Sequence, residues 1–198
     1  QWLAQPSPAP RSTMSANDVG SGLVNLGNSC FMNAVLQCLV HTPPLLTYMR
    51  KQAHSSKCQK AKQGGGHSGS AMCSACRLEA LVQRMFQRNA SPFPPKAFAD
   101  NLGVLARGFR LGRQEDSHEY IRGVLDGIHV QALKEFAGED AEKVLDARTQ
   151  ETTIVHHIFG GYTCGQVECG QCGHVSRNYQ SMIDIPVEVT AKSSSGIE

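Results

Sequence analysis

No stretch of this sequence comes near the ~18 consecutive apolar residues that a membrane-spanning helix needs, and no signal-peptide core opens it. There is no surplus of charge either. Nineteen basic residues against seventeen acidic ones leave a formal net of +2 over 198 residues, so bulk electrostatics point to neither nucleic acid nor membrane. A nucleic-acid module predicts a basic stripe, and Lys51, Lys57, Lys60 and Lys62 are only scattered. What the sequence does hold is eight cysteines, including two Cys-x-x-Cys pairs. In a chain this size they suggest metal ligands and a reducing, intracellular compartment, cytoplasm or nucleus, rather than a disulfide framework. The length allows one sizeable domain or two small ones. Residues 1–21 begin with Gln1 rather than Met and are rich in Pro, Ser and Ala, which predicts a flexible leader.

The most informative stretch is Gly22-Leu-Val-Asn-Leu-Gly-Asn-Ser-Cys-Phe-Met-Asn-Ala34. Asn25, Gly27, Asn28 and Ser29 favour turns and helix N-caps. Phe31, Met32, Val35, Leu36, Leu39 and Val40 then recur at helical spacing and predict a buried helix. Cys30 falls in its first turn, where unpaired N–H groups and the positive end of the dipole stabilise negative charge on sulfur. Asn25, five residues upstream, carries an amide able to donate to a developing oxyanion. On composition alone, a small core residue is the commoner fate of a cysteine.

GLVNLGNSCFMNAVLQCL resembles the Cys box of the ubiquitin-specific proteases, papain-like cysteine enzymes that remove ubiquitin from proteins. The resemblance implies that Cys30 is the nucleophile and that Asn25 helps form the oxyanion hole. Ser29 stands where Thr is more usual. A second stretch, Gln114-Glu-Asp-Ser-His-Glu-Tyr120, first reads as a helix start: Asp116 and Glu119 have the spacing of a capping box, followed by apolar Ile121, Val124, Leu125 and Ile128. It also resembles the family's second block, usually QQDAHEF. There, residues matching Gln114, Asp116 and Glu119 line the channel for ubiquitin's arginine-containing C-terminal tail. His118 reads as structural, and His41 lies too far along the first helix to serve Cys30. His156 and His157 lack any neighbour that would orient an imidazole.

Two sets of metal ligands stand out. His54 and Cys58 precede a glycine-rich insertion at 59–70, and Cys73 and Cys76 follow it, giving four plausible zinc ligands in a spacing that fits no common finger. The plain alternative is two surface thiols and two buried ones. Cys169 and Cys172 lie in a Cys-x-x-Cys-Gly turn between predicted strands, the shape of a zinc knuckle that needs two further ligands. Cys164 is one in-chain candidate; in the family the partner pair lies further along the chain.

For the remaining elements, Pro43-Pro44 predicts a stop, with a short helix resuming over residues 45–53. Leu78, Leu81, Val82, Met85 and Phe86 predict an amphipathic helix, and another begins near Lys96 with Phe98, Leu102 and Leu105 inward. Residues 137–151 predict a loop with a helical piece, and 152–159 a short helix ended by Gly160-Gly161. A strand over 162–168 precedes the Cys169 turn, and Ile183, Ile185, Val187 and Val189 alternate as a second strand should.

The fold expected is therefore α+β: a truncated papain-like cysteine protease domain, helical thumb at 22–160, start of a β-rich fingers region at 161–190, and a linker at 191–198. The family's His box, a Gly-His-Tyr motif with the Asn or Asp that orients it, is absent from these residues. The expectation is thus an N-terminal piece of a catalytic domain. The complete enzyme would be a deubiquitinase working through a Cys30 thioester on ubiquitin and ubiquitinated proteins. It would need no cofactor for catalysis, structural zinc is possible, and this chain alone would be nearly inactive. Two alternatives from other classes are a non-catalytic ubiquitin-binding pseudoenzyme and a zinc-stabilised interaction module.

Overall fold

The structure, a computed structural model, describes residues 19–58 and 73–187. The leader up to residue 18, residues 59–72 with the insertion expected at 59–70, and the segment from 188 onward lie outside the described residues. The chain forms two compact units that divide between Gln131 and Ala132.

The first unit is helical. Helix α1 spans Cys30–Val40, and all six apolar residues of its predicted face are buried. At about 1.5–3 kcal/mol for each fully buried side chain, that face is the main reason the helix holds. It is not buried all round: Cys30, Ala34 and Cys38, spaced four apart, form an exposed stripe. Helix α2 spans Pro43–Arg50, and here the sequence reading needs correction. The break falls where expected, with α1 ended at Val40 and Thr42 extended, but the two prolines themselves open α2, because the first helical positions need no N–H donor and suit a fixed φ. Helix α3 spans Ser74–Met85 and packs on α2, which packs on α1.

Segment 21–24 is clamped to this core. Its backbone bridges Phe93, with Val24 N–H donating to Phe93 O at 2.9 Å and Phe93 N–H to Gly22 O at 3.2 Å. Asn33 and Gln37, one turn apart on α1, donate to the carbonyls of Leu23, Val24 and Ser21. The helix predicted near Lys96 is two short ones, α4 at Lys96–Ala99 and α5 at Leu102–Leu105, with Phe98, Leu102 and Leu105 buried as expected.

Helix α6, Ser117–Ala137, is the longest and crosses the division between the units. It approaches α5 so closely that a Cβ on Gly123 would sit 1.9 Å from the Leu105 carbonyl oxygen. No described helix is long and apolar enough to cross a membrane.

The second unit carries short helices α7 (Ala141–Val144), α8 (Ala147–Gln150) and α9 (Ile154–Phe159), then a hairpin. Strand β1, Gly161–Glu168, pairs antiparallel with β2, Val175–Met182, from Glu168↔Val175 to Gly161↔Met182. The second predicted strand was misplaced. The pairing strand is the polar stretch before Ile183, while Ile183, Ile185 and Val187 lie beyond the last paired residue and Val189 is outside the described residues. Both hairpin faces are largely exposed, so β2 has no reason to carry an apolar period-two pattern.

Candidate active site and metal centre

Cys30 is the first residue of α1 and is exposed. The loop before it is fixed by one side chain. The Asn25 amide oxygen accepts from Gly27 N–H (3.0 Å), Ser29 N–H (3.1 Å) and the Ser29 hydroxyl (3.0 Å), and that hydroxyl accepts from Leu26 N–H at 2.8 Å. The turn needs two successive left-handed residues, Gly27 (φ +88°) and Asn28 (φ +51°). Glycine and asparagine are the types that adopt this conformation at least cost. With its oxygen committed to the loop, the Asn25 amide has only its Nδ2 end left to donate outward.

The same loop is tied to the second stretch. Asn28 Nδ2 donates to Gly112 O at 2.8 Å. Phe31, next to Cys30, packs edge-on against Phe109 and Tyr120, with centroids 5.8 and 5.6 Å apart. Tyr120 is fully buried, and its hydroxyl has no hydrogen-bond partner among the described residues. Burial pushes that phenol well above its ordinary range.

Asp116 caps α6: its Oδ1 accepts from His118 N–H at 2.7 Å and Glu119 N–H at 3.0 Å. Those bonds, Glu119 N–H foremost, hold its carboxyl below the usual value. The reciprocal half of the box is missing, since Glu119 forms no hydrogen bond to Asp116 N–H among the described residues. Gln114 and Glu119 are exposed. Cys30 makes no hydrogen bond to any described residue, so no Cys–His pair is formed. His41 is engaged elsewhere, its Nδ1 2.8 Å from Gln37 O and its ring against Phe86. His156 Nδ1 lies 3.3 Å from the Thr153 hydroxyl.

The first metal set converges. The ligand atoms of His54, Cys58, Cys73 and Cys76 all lie within 4.8 Å of one another, and only Cys76 is partly exposed. Tetrahedral zinc with Zn–S near 2.3 Å places sulfurs about 3.8 Å apart, and Cys58 Sγ to Cys73 Sγ is 3.9 Å. His54 Nε2 is 2.9 Å from Cys73 Sγ, so an ion would open that pair by about 0.7 Å. Glu79, 2% exposed, holds the His54 turn by accepting from His54 N–H (3.1 Å) and Ser55 N–H (2.9 Å). Burial raises the Cys73 and Cys76 thiols. The donor set, spacing and supporting carboxylate fit zinc. Nothing in the sequence pointed to Glu79 beyond a charge on an otherwise apolar helix face.

The second set does not close. Cys169 and Cys172 are exposed at the hairpin turn, and no third ligand joins them among the described residues. Cys164 is not gathered; it lies on β1 opposite Tyr179. The turn itself is knuckle-like, with Gly173 N–H donating to Cys169 O and Cys169 N–H to His174 O, both at 2.9 Å. The backbone N–H of Cys172, then that of Gln171, hold the Cys169 thiol below its ordinary range.

Residues 21–191 match the family described as ubiquitin carboxyl-terminal hydrolase, and the chain belongs to that family. Among its relatives, the probable ubiquitin carboxyl-terminal hydrolase 16 of Schizosaccharomyces pombe is 39% identical over 88% of this chain and 35% of its own length. Human ubiquitin carboxyl-terminal hydrolase 42 is 36% identical over 89% of this chain and 12% of its own. The chain thus spans about a third or less of these two relatives. Among solved structures, the SAGA DUB module containing Ubp8, bound to monoubiquitin, superposes with a TM-score of 0.67 at 22% identity, over 87% of this chain and 36% of that one. That likeness establishes the fold.

Proposed function

We propose that this chain supplies the nucleophile and part of the substrate channel of a cysteine-type deubiquitinase. The observation that carries the reading is the loop at Asn25–Ser29, which presents Cys30 exposed at a helix start and is bonded through Asn28 to the stretch before Asp116. Cys30 Sγ attacks the carbonyl carbon of ubiquitin's terminal glycine, forming a C–S bond as the carbonyl oxygen takes up negative charge. Asn25 Nδ2 donates to that oxyanion. The C–N bond then breaks as the leaving amine takes the proton that an imidazole had received from the Cys30 thiol, and water cleaves the thioester to give ubiquitin's free carboxylate and restore the thiol. The imidazole comes from a part of the catalytic domain beyond these residues, so this chain alone has negligible turnover.

Asp116, with Oδ2 uncommitted by its cap, receives an arginine of the ubiquitin tail, with Gln114 and Glu119 alongside. Zinc at His54, Cys58, Cys73 and Cys76 is structural. His54, Cys58, Cys73 and Cys76 would hold the ion, which would neutralise their thiolates and pin the segment before residue 59 to the start of α3, with no chemical step passing through it. In the complete protein, Cys30→Ala should lower cleavage of a ubiquitin–fluorophore substrate on the order of a thousandfold or more. Near-wild-type turnover would refute the assignment.

A further inference from the structure

Away from Cys30, the first unit has a groove of about 860 Å³ between α3 and residues 93–98, near the upper end of the ~300–1,000 Å³ typical of binding pockets. Its apolar lining includes Leu81, Phe93 and Phe98. Three cations, Arg77, Arg84 and Lys96, also line it, and no carboxylate does. We propose that this groove binds an acidic peptide segment, with carboxylates spaced between apolar side chains.

Arg77 is the central observation. It is only 8% exposed, yet its guanidinium's one hydrogen bond among the described residues goes to Ala97 O at 3.0 Å, and no described carboxylate pairs with it. A nearly buried guanidinium without a counter-charge is costly, and a carboxylate arriving in the groove supplies that charge in a geometry suited to paired N–H donors. Arg84 lies over the Phe93 ring at 3.9 Å, which holds its guanidinium at the groove wall. Lys96, the first residue of α4, is exposed and has no ion pair among the described residues. Apolar side chains of the peptide settle among Leu81, Phe93 and Phe98, while its acids meet the three cations.

A nucleic acid fits less well. Its bases need free aromatic faces to stack on, and Arg84 already covers Phe93. The chain's formal net charge of +2 also supplies no continuous stripe for a phosphate backbone.

The test uses the complete protein and a short fluorescent peptide alternating Glu with Leu and Phe, followed by anisotropy. Its counterpart with Lys for Glu and an oligothymidine are the comparison probes. The acidic peptide should bind saturably and more weakly as salt rises. Lys96→Glu should weaken it several-fold, and Arg84→Glu with Lys96→Glu by about tenfold or more. Because Lys96 is exposed at a helix start, where an acid is favourable, Lys96→Glu should leave the melting temperature unchanged. Absence of saturable binding, equal affinity in Lys96→Glu and the double variant, equal binding of the Lys peptide, or preference for the oligonucleotide would each overturn the proposal.

Discussion

Cys73/Cys76 and Cys169/Cys172 have identical sequence spacing and opposite surroundings. The first pair opens a core helix, meets His54 and Cys58 across an insertion, and is backed by a buried glutamate. The second sits at the tip of a hairpin with both faces in solvent. Burial raises the thiols of the first pair, whereas backbone N–H groups lower Cys169 of the second. Spacing therefore proposes a ligand pair, and the surrounding fold decides whether a centre closes.

The largest expected effect separates the two pairs. Purified chain should carry about one zinc, by the four-ligand rule for structural sites. Cys73→Ser with Cys76→Ser should remove it and lower the helical unit's stability by several kcal/mol, since metal-binding energy at such sites is folding energy. Cys169→Ser with Cys172→Ser should change neither metal content nor the melting of the helices. Zinc lost with the second pair instead would reverse the comparison.

The next contrast lies in backbone packing. Gly123→Ala drives a methyl into the Leu105 carbonyl and should cost about 3 kcal/mol or more in denaturant melts. Gly170→Ala, at the hairpin turn with nothing within 4 Å, should be nearly silent. Equal effects would mean that α6 does not approach α5 as described.

A smaller effect has the opposite sign. Tyr120→Phe removes a buried hydroxyl without a partner and should raise stability by about 1 kcal/mol, visible as a shift in the urea midpoint. Tyr179→Phe on the exposed hairpin should do nothing measurable.

The smallest effect comes from the caps. Asp116 and Asp146 both accept from helix N–H groups and both have lowered carboxyl pKa values. A lowered value means that the cap's contribution is complete above the ordinary carboxylate pKa and is lost as pH falls through the folded value. Circular dichroism between neutral pH and pH values below the ordinary 3.8 should show fraying in wild type that Asp116→Ala already has at neutral pH.

These contrasts also mark what the sequence could disclose. The six buried residues of α1 and the Asp116 cap follow from periodicity and local hydrogen bonding, so they were legible in advance. The Cys30 and Asp116 stretches were legible through their motifs, and the His54 set through ligand types alone. Features that depend on tertiary placement were not. Pro43 and Pro44 mark the break after α1, but nothing local shows that they themselves form the first turn of α2. Strand β2 was missed because an exposed hairpin needs no alternation. The sequence offers no reading of Glu79 and Arg77, and only folding makes one a support for His54 and the other a buried cation beside a groove.

The central claim is that Cys30 is the atom ubiquitin is transferred to. The most direct test treats the complete protein with ubiquitin carrying a C-terminal electrophile and locates the adduct by peptide mass spectrometry. The account predicts a single ubiquitin adduct on Cys30, absent in Cys30→Ala and weakened in Asp116→Ala. An adduct on Cys38, which shares the exposed stripe of α1, or none under conditions where the protein cleaves ubiquitin, would contradict it.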